Sequence, residues 1–343
     1  MSSDRMEESS MGKAETWKTK ILTKSQLEQV CDTKMALAAV EDALRFIGTG
    51  ELFQNTCDVL HPSEGNYCFL LPHPAYIRPW NVVGDKWLGC CEGNLSKGLP
   101  YTVGVTTIND AETMMPIAFM DGTYLTGMRT AAMAAIGTKY LARRDSQALA
   151  IVGCGVQGRT HLSAMCELNV FPLKRVQIFD LNPDAMTALQ AYGQEKYGIE
   201  VVPCGSITQA VTGADIICML TTCREPLITL DQIAPGAHLC PTCLWDIDIP
   251  NILRGVDKWV LGNEEADCYN FVNSFQQQYG LGMDQVYTNL SEIVCGRKAG
   301  RESPLERTVM THLGMGANDV AISYQAYRRA VELGIGTDVC IFA

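Results

Sequence analysis

The segment Gly153-Cys154-Gly155-Val156-Gln157-Gly158 limits the possible folds of this chain more than any other feature. It follows the apolar run "ALAIV" and opens a stretch of helical period, so its three glycines sit where a strand turns into a helix. The first glycine permits the tight turn, the second lets backbone amides approach a pyrophosphate, and the third lets helix and strand pack closely. Val156 and Gln157 belong to the same first turn and are assigned with the glycines to cofactor binding. Asp180 ends the next apolar run, "RVQIF", 22 residues after Gly158. That is close to the roughly 20 residues expected before a carboxylate that bonds the adenosine ribose. No arginine occurs in the following "LNPD", so the carboxylate would oppose a 2′-phosphate, and the pattern predicts NAD rather than NADP.

The flanking pattern supports this. From Gln147 to about Gly262, apolar runs such as "RVQIFD", "IEVVPC", "ADIICMLT" and "KWVLG" alternate with helical stretches, which implies right-handed crossovers and a doubly wound parallel sheet. Ahead of it, Leu37, Val40, Leu44 and Ile47 fall at helical spacing after Asp32, with Gly48 as the expected stop. Residues 57 to 120 read as short alternating strands broken by Gly, Pro and Asn, and residues 125 to 144 as an Ala-rich helix. The tail carries a further helix in "ANDVAISYQAYRRAVEL".

Composition removes several function classes. Lys and Arg number 27 against 38 Asp and Glu, a net charge of −11, which argues against nucleic acid. No apolar run approaches the roughly 20 residues of a membrane span, and the first 20 residues read as a polar, disordered lead-in. Fifteen cysteines in a chain of 343 without a signal-like segment read as reduced thiols in a cytoplasmic protein. The spacing Cys240-Pro-Thr-Cys243 has no second CxxC to pair with, so it reads as strand packing, and no metal site is expected. His161 reads as a helix-face histidine.

The segments "GDKWLG", "GNLSKGLP", "MDGTYLTGMRTAAMAAIGTKYLAR", "VGCGVQGRTH" and "GMGANDVAISYQAYRRAVELGIG" together resemble the ornithine cyclodeaminase/mu-crystallin family, from about residue 20 onward. The resemblance implies a Rossmann-type domain, residues 126–314, inserted into a smaller α+β domain, residues 21–125 plus 315–343, that binds substrate and forms a homodimer. It also implies hydride exchange between nicotinamide and a carbon bearing nitrogen, in a small amino or imino acid.

Two site positions carry over from that resemblance: Lys86 in "GDKW", beside the substrate carboxylate and reacting carbon, and Arg129 in "LTGMRTAA", gripping the carboxylate. A guanidinium binds a carboxylate bidentately, and a nearby ammonium exchanges a proton as imine and amine interconvert. Other positions depart from the family pattern. A second arginine is replaced by the run Gln54, Asn55, Thr56, and a glutamate by Phe69. The acidic residue after the fifth strand falls on Trp245, leaving Asp246 or Asp248 as a shifted carboxylate or none at all. Phe69 and Trp245 are expected to line an apolar substrate pocket. Thr130, Thr221 and Thr222 lie where hydroxyls either contact a dinucleotide or cap helices. Asn318 and Asp319 either border the nicotinamide side or cap the tail helix.

These departures favour an NAD-dependent oxidoreductase on a C–N bond, as an amino-acid dehydrogenase or ketimine reductase. A cyclodeaminase-type ammonia lyase with internally recycled NAD, and a mu-crystallin-like NAD(P)H-dependent binding protein, stay open as alternatives.

Overall fold

The computed structural model describes residues 17–56, 59–62, 68–242 and 244–342. In chain order the first segments are β1 (Thr19–Leu22), α1 (Lys24–Val30), α2 (Thr33–Thr49), β2 (Leu52–Gln54), β3 (Cys68–Ile77), β4 (Val82–Cys91), β5 (Thr102–Asp110) and β6 (Pro116–Asp121). Then come α3 (Gly122–Leu141), β7 (Ala148–Val152), α4 (Val156–Leu168), β8 (Arg175–Phe179), α5 (Pro183–Tyr197), β9 (Glu200–Pro203), α6 (Ile207–Val211), β10 (Ile216–Met219) and β11 (His238–Pro241). The chain closes through α7 (Ile249–Gly255), β12 (Lys258–Leu261), α8 (Glu264–Asp267), α9 (Asn273–Tyr279), β13 (Thr288–Asn289), α10 (Leu290–Val294), β14 (Thr308–Thr311), α11 (Gly316–Leu333) and β15 (Thr337–Val339).

Two compact units result. One comprises the described residues of Met1–Asp32, Glu51–Thr126 and Gly316–Ala343, the other Thr33–Gly50 and Gly127–Met315. In the first, seven described strands run in the order β15-β1-β6-β5-β4-β3-β2, and α11 packs on β3, β4 and β5. Strands β3 and β4 are ten residues each, longer than the broken runs the sequence suggests. The apparent breakers are part of the strands. Pro72 and Pro74 lie where β3 extends past β2, whose pairing ends at Gln54↔Ala75, so their missing N–H groups cost no ladder bond. Gly84 gives α11 room, since a Cβ there would meet the Thr107 carbonyl oxygen at 2.8 Å and Val320 Cγ2 at 3.0 Å.

The second unit is the doubly wound sheet, with eight described strands in the order β13-β12-β14-β11-β10-β7-β8-β9, all pairs parallel. Strands β7 and β10 are fully buried, as a sheet covered on both faces requires. The chain order reverses between β7 and β10, which opens a crevice at their carboxyl ends.

Four expectations need correction. The N-terminal lead-in is ordered from Trp17, whose Nε1 donates to the Pro116 carbonyl at 2.8 Å, and β1 begins at Thr19; residues 1–16 lie outside the described residues. Helix α2 runs through Gly48 to Thr49 and stops at Gly50, which has φ +72°. Gly48 is instead a contact point, where a Cβ would strike Cys295 Sγ. That helix belongs to the second unit rather than to the flanking domain: Lys139 Nζ and Tyr140 Oη donate to Glu41, and Arg297 Nη2 donates to the Gly48 carbonyl. Finally, not every thiol is reduced. Cys68 and Cys91 stand directly opposite in the β3–β4 ladder and form a disulfide, because antiparallel neighbours bring side chains within bonding reach. Of the Cys240–Cys243 pair, Cys240 is buried in β11 and Cys243 lies outside the described residues.

Substituting Gly84→Ala is expected to lower stability by about 1–3 kcal/mol, read as a urea midpoint. Gly93→Ala, with no atom within 4 Å of the added carbon, serves as the neutral control. Equal midpoints would show that the helix yields freely.

Candidate functional site

In the second unit the glycine segment does what its spacing predicts. Gly153 takes φ +102°, and a Cβ there would meet the Leu220 carbonyl oxygen at 2.7 Å. Gly155 has no atom within 4 Å of a Cβ position, so the approach to its amide is open. Gly158 lies against the Gly153 carbonyl, which closes helix on strand. Helix α4 begins after Gly155 with no side-chain cap, leaving its first N–H groups for an anion. Asp180 is held at both oxygens, Oδ2 accepting from Cys154 N–H at 2.7 Å and Oδ1 from Asn182 N–H at 2.8 Å.

These residues border a cleft of about 510 Å³ whose lining includes Gly153, Gly155, Asp180, Leu181, Thr221 and Thr222. An uncapped helix start, an unobstructed glycine and an oriented carboxylate fit a dinucleotide. Of the predicted cofactor set, Thr130, Val156, Gln157 and Gly158 are not on that wall. Thr130 is buried on α3 and Val156 is exposed.

Asp246 and Asp248, the two candidates for a shifted carboxylate, differ in their surroundings. Asp246 is buried, and its Oδ2 accepts from Thr221 Oγ1 at 2.9 Å and Thr221 N–H at 3.3 Å. Burial pushes its pKa up to about 7 against those hydrogen bonds. Its Oδ1 has no partner among the described residues. Asp248, by contrast, sits at the start of α7 and accepts from Asn251. Trp245 is partly exposed and stacks edge-on to Phe275 at 6.3 Å.

Arg129 is buried on α3, and its charge helps to keep His312 neutral. Burial is the larger cause there, and the His312 pKa falls to about 3. His161 lies on the buried face of α4. Its Nδ1–H donates to the Gln157 carbonyl at 2.9 Å, and burial lowers its pKa to about 4. Asp267 is fully buried, accepts from Asn263 N–H at 3.0 Å, and is raised by burial to about 7.

In the first unit Lys86 is fully buried and its Nζ meets Asp319 Oδ2 at 2.7 Å. The same oxygen lies 3.0 Å from His73 Nδ1. The strand register sets His73, Lys86 and Thr106 side by side on β3, β4 and β5, a polar row on the face that α11 covers. The start of α11 is held by Gln54, whose Oε1 accepts from Ala317 N–H at 3.0 Å. Gln54 Nε2, Thr106 Oγ1 and both amide atoms of Asn318 are buried without partners among the described residues. Phe69 shares the Lys86 face but lies two rows along, its ring edge-on to His61 at 6.4 Å. His73 and Thr106 were missed by sequence reasoning. A polar side chain between Pro72 and Pro74, in a run otherwise apolar, was the available signal.

One unit is therefore a dinucleotide fold with its anion cradle intact, and the other buries a lysine ammonium against a carboxylate. The chain belongs to the ornithine cyclodeaminase/mu-crystallin family, which it matches over residues 17–334. It is 28% identical to an alanine dehydrogenase of Archaeoglobus fulgidus over 94% of this chain and 99% of that protein. Its fold matches the structure of Δ1-pyrroline-2-carboxylate reductase from Thermococcus litoralis with NADH and L-proline, at TM-score 0.87 and 30% identity, covering 94% of this chain and 100% of the other. An archaeal alanine dehydrogenase dimer with bound NAD matches at TM-score 0.85 and 27% identity, over 94% and 99% of the two chains. Among the described residues no helix is long and apolar enough to cross a membrane.

The raised Asp267 pKa has a sign that can be tested. Unfolded, this carboxyl loses its proton near 3.9; folded, it keeps it to about 7. The folded state therefore binds more protons between those values, and this group's contribution to stability falls as pH rises through that window. Asp267→Asn, which cannot ionise, is expected to gain stability relative to wild type between about pH 5 and about pH 7.5. A constant difference in unfolding temperature would mean the carboxyl is already ionised at the lower pH.

Proposed function

We propose that the protein is an NAD-dependent oxidoreductase acting on the C–N bond of a small amino or cyclic imino acid, as an amino-acid dehydrogenase or ketimine reductase. The observation that carries this reading is the buried Lys86–Asp319 pair in a chain that also has the Gly153–Asp180 cradle. A buried ammonium needs a counter-charge to stay protonated, and Asp319 supplies it, so Lys86 is held as a proton donor for an imine nitrogen. The bound nicotinamide supplies or accepts the hydride. Arg129 binds the substrate carboxylate, and α-amino or α-imino acids are substrates that a guanidinium of this kind selects. Relatives that carry out alanine oxidation and pyrroline-2-carboxylate reduction support the same class.

One observation favours the lyase as second reading. Asp246 keeps a buried carboxylate poised at about 7, a group able to take and return a proton near neutral pH. The reading places the protein in the cytoplasm. It also makes the protein a homodimer through the sheet face opposite Lys86, where Trp87, Val103 and Phe119 are exposed together; the archaeal relative described as a dimer supports this.

Three measurements test the proposal. Purified protein with NADH and Δ1-pyrroline-2-carboxylate, or with pyruvate and ammonium, is expected to oxidise NADH, and Lys86→Met and Arg129→Ala to lower kcat/KM by about 10²–10⁴. Ammonia release from an amino acid without net NADH identifies the lyase, and ligand-induced thermal stabilisation with neither product identifies a binding protein. Asp180→Ser is expected to shift cofactor preference toward NADPH, because it removes the charge that repels a 2′-phosphate; an unchanged ratio refutes that role. Light scattering is expected to give about twice the chain mass of 37.6 kDa, reduced to the single-chain mass by Trp87→Glu.

A further inference from the structure

His73 stands beside the lysine pair without a role in the proposed chemistry. Its position is tightly defined. Its N–H donates to Asp85 Oδ1 at 2.7 Å, it is flanked by Pro72 and Pro74, and its carbonyl lies against Gly316, where a Cβ would approach that oxygen to 2.5 Å. This clamp aims Nδ1 at Asp319 Oδ2, the atom that also receives Lys86 Nζ. Exposure differs across the trio: the Lys86 and Asp319 side chains are 1% exposed and that of His73 is 10%. Solvent therefore meets this trio at the imidazole.

We propose that His73 is a proton-relay residue that reloads Lys86 through Asp319. The inference rests on the C–N oxidoreductase reading. In the reductive direction Lys86 gives one proton to the imine nitrogen and is left as a neutral amine. His73 imidazolium passes its Nδ1 proton to Asp319 Oδ2, and the same carboxyl passes a proton to Lys86 Nζ, so Asp319 ends as it began. Neutral His73 then takes a proton from solvent. One proton moves from water to the nitrogen of the product, and both electrons come with the hydride. In the oxidative direction the path runs backward.

The charged groups facing His73 include Asp85 and Lys86 of β4 and Asp319 of α11. From β5 comes the Thr106 hydroxyl and from the β2 side the Gln54 amide at the start of α11, neither of which titrates. The two carboxylates favour the imidazolium and the ammonium opposes it.

The test combines kinetics with a measurement on the cofactor-free protein. For NADH oxidation with Δ1-pyrroline-2-carboxylate, wild-type kcat is expected to fall as pH rises through the His73 titration. His73→Gln is expected to lower kcat about a hundredfold, leave KM near the wild-type value, lose the pH limb and recover in part with added imidazole. By ¹⁵N NMR the His73 ring is expected to titrate between about pH 5 and about pH 9, with its midpoint raised in Lys86→Met, where the opposing charge is gone. An unchanged pH profile and kcat in His73→Gln overturns the relay, as does a ring that does not titrate or a midpoint unmoved by Lys86→Met. If His73→Gln does not fold, the NMR comparison decides alone. A wild type inactive on every amino and imino acid offered defeats the functional reading, whereas an active wild type indifferent to His73 defeats only the relay.

Discussion

The burial of the Lys86 ammonium is the constraint on which the first unit turns. A charge removed from water needs a partner at contact distance, and the partner, Asp319, belongs to a helix that must lie directly on the strands. The glycines follow from that requirement. Gly84 lets α11 approach the sheet, and Gly316 lets the helix start against the backbone of His73 and Pro74. Gln54 holds the helix start by accepting from the Ala317 N–H. A contact between two side chains thus dictates which positions lose their Cβ.

The second unit pairs buried Lys258 with Glu302 in the same way, but several of its other buried ionisable groups are moved toward neutrality by burial: Asp246 and Asp267 upward to about 7, His161 and His312 downward to about 4 and about 3. Neutral groups tolerate a low-dielectric interior where lone ions do not. The Asp180 carboxylate at the cleft is different again, fixed by two backbone amides.

What the sequence discloses is local, and what it hides is long-range. The glycine turn, the Asp180 position and the strand-helix alternation depend on neighbours within one β-α-β unit, so spacing alone reveals them. Lys86 and Arg129 became legible only through resemblance, because a lone lysine in a strand carries no pattern of its own. His73 drew no reading in the sequence, and the carboxylate that gives it meaning is 246 residues away. Gly48 reads as a helix stop because nothing nearby shows that Cys295 packs against it. The Cys68–Cys91 bond is equally silent until the register of β3 on β4 is known.

The lysine and its counter-ion also lie far apart in the order of synthesis. Lys86 leaves the ribosome 233 residues before Asp319, since 319 − 86 = 233, and at about 5–20 residues per second this delay is on the order of ten to fifty seconds. The whole parallel sheet is made in that interval, and its own strands need nothing from the tail in order to pair. Until α11 arrives, the β4 face that it will cover carries the Lys86 ammonium without Asp319 beside it. Helix α11 is then the element that switches that face from hydrated to dry.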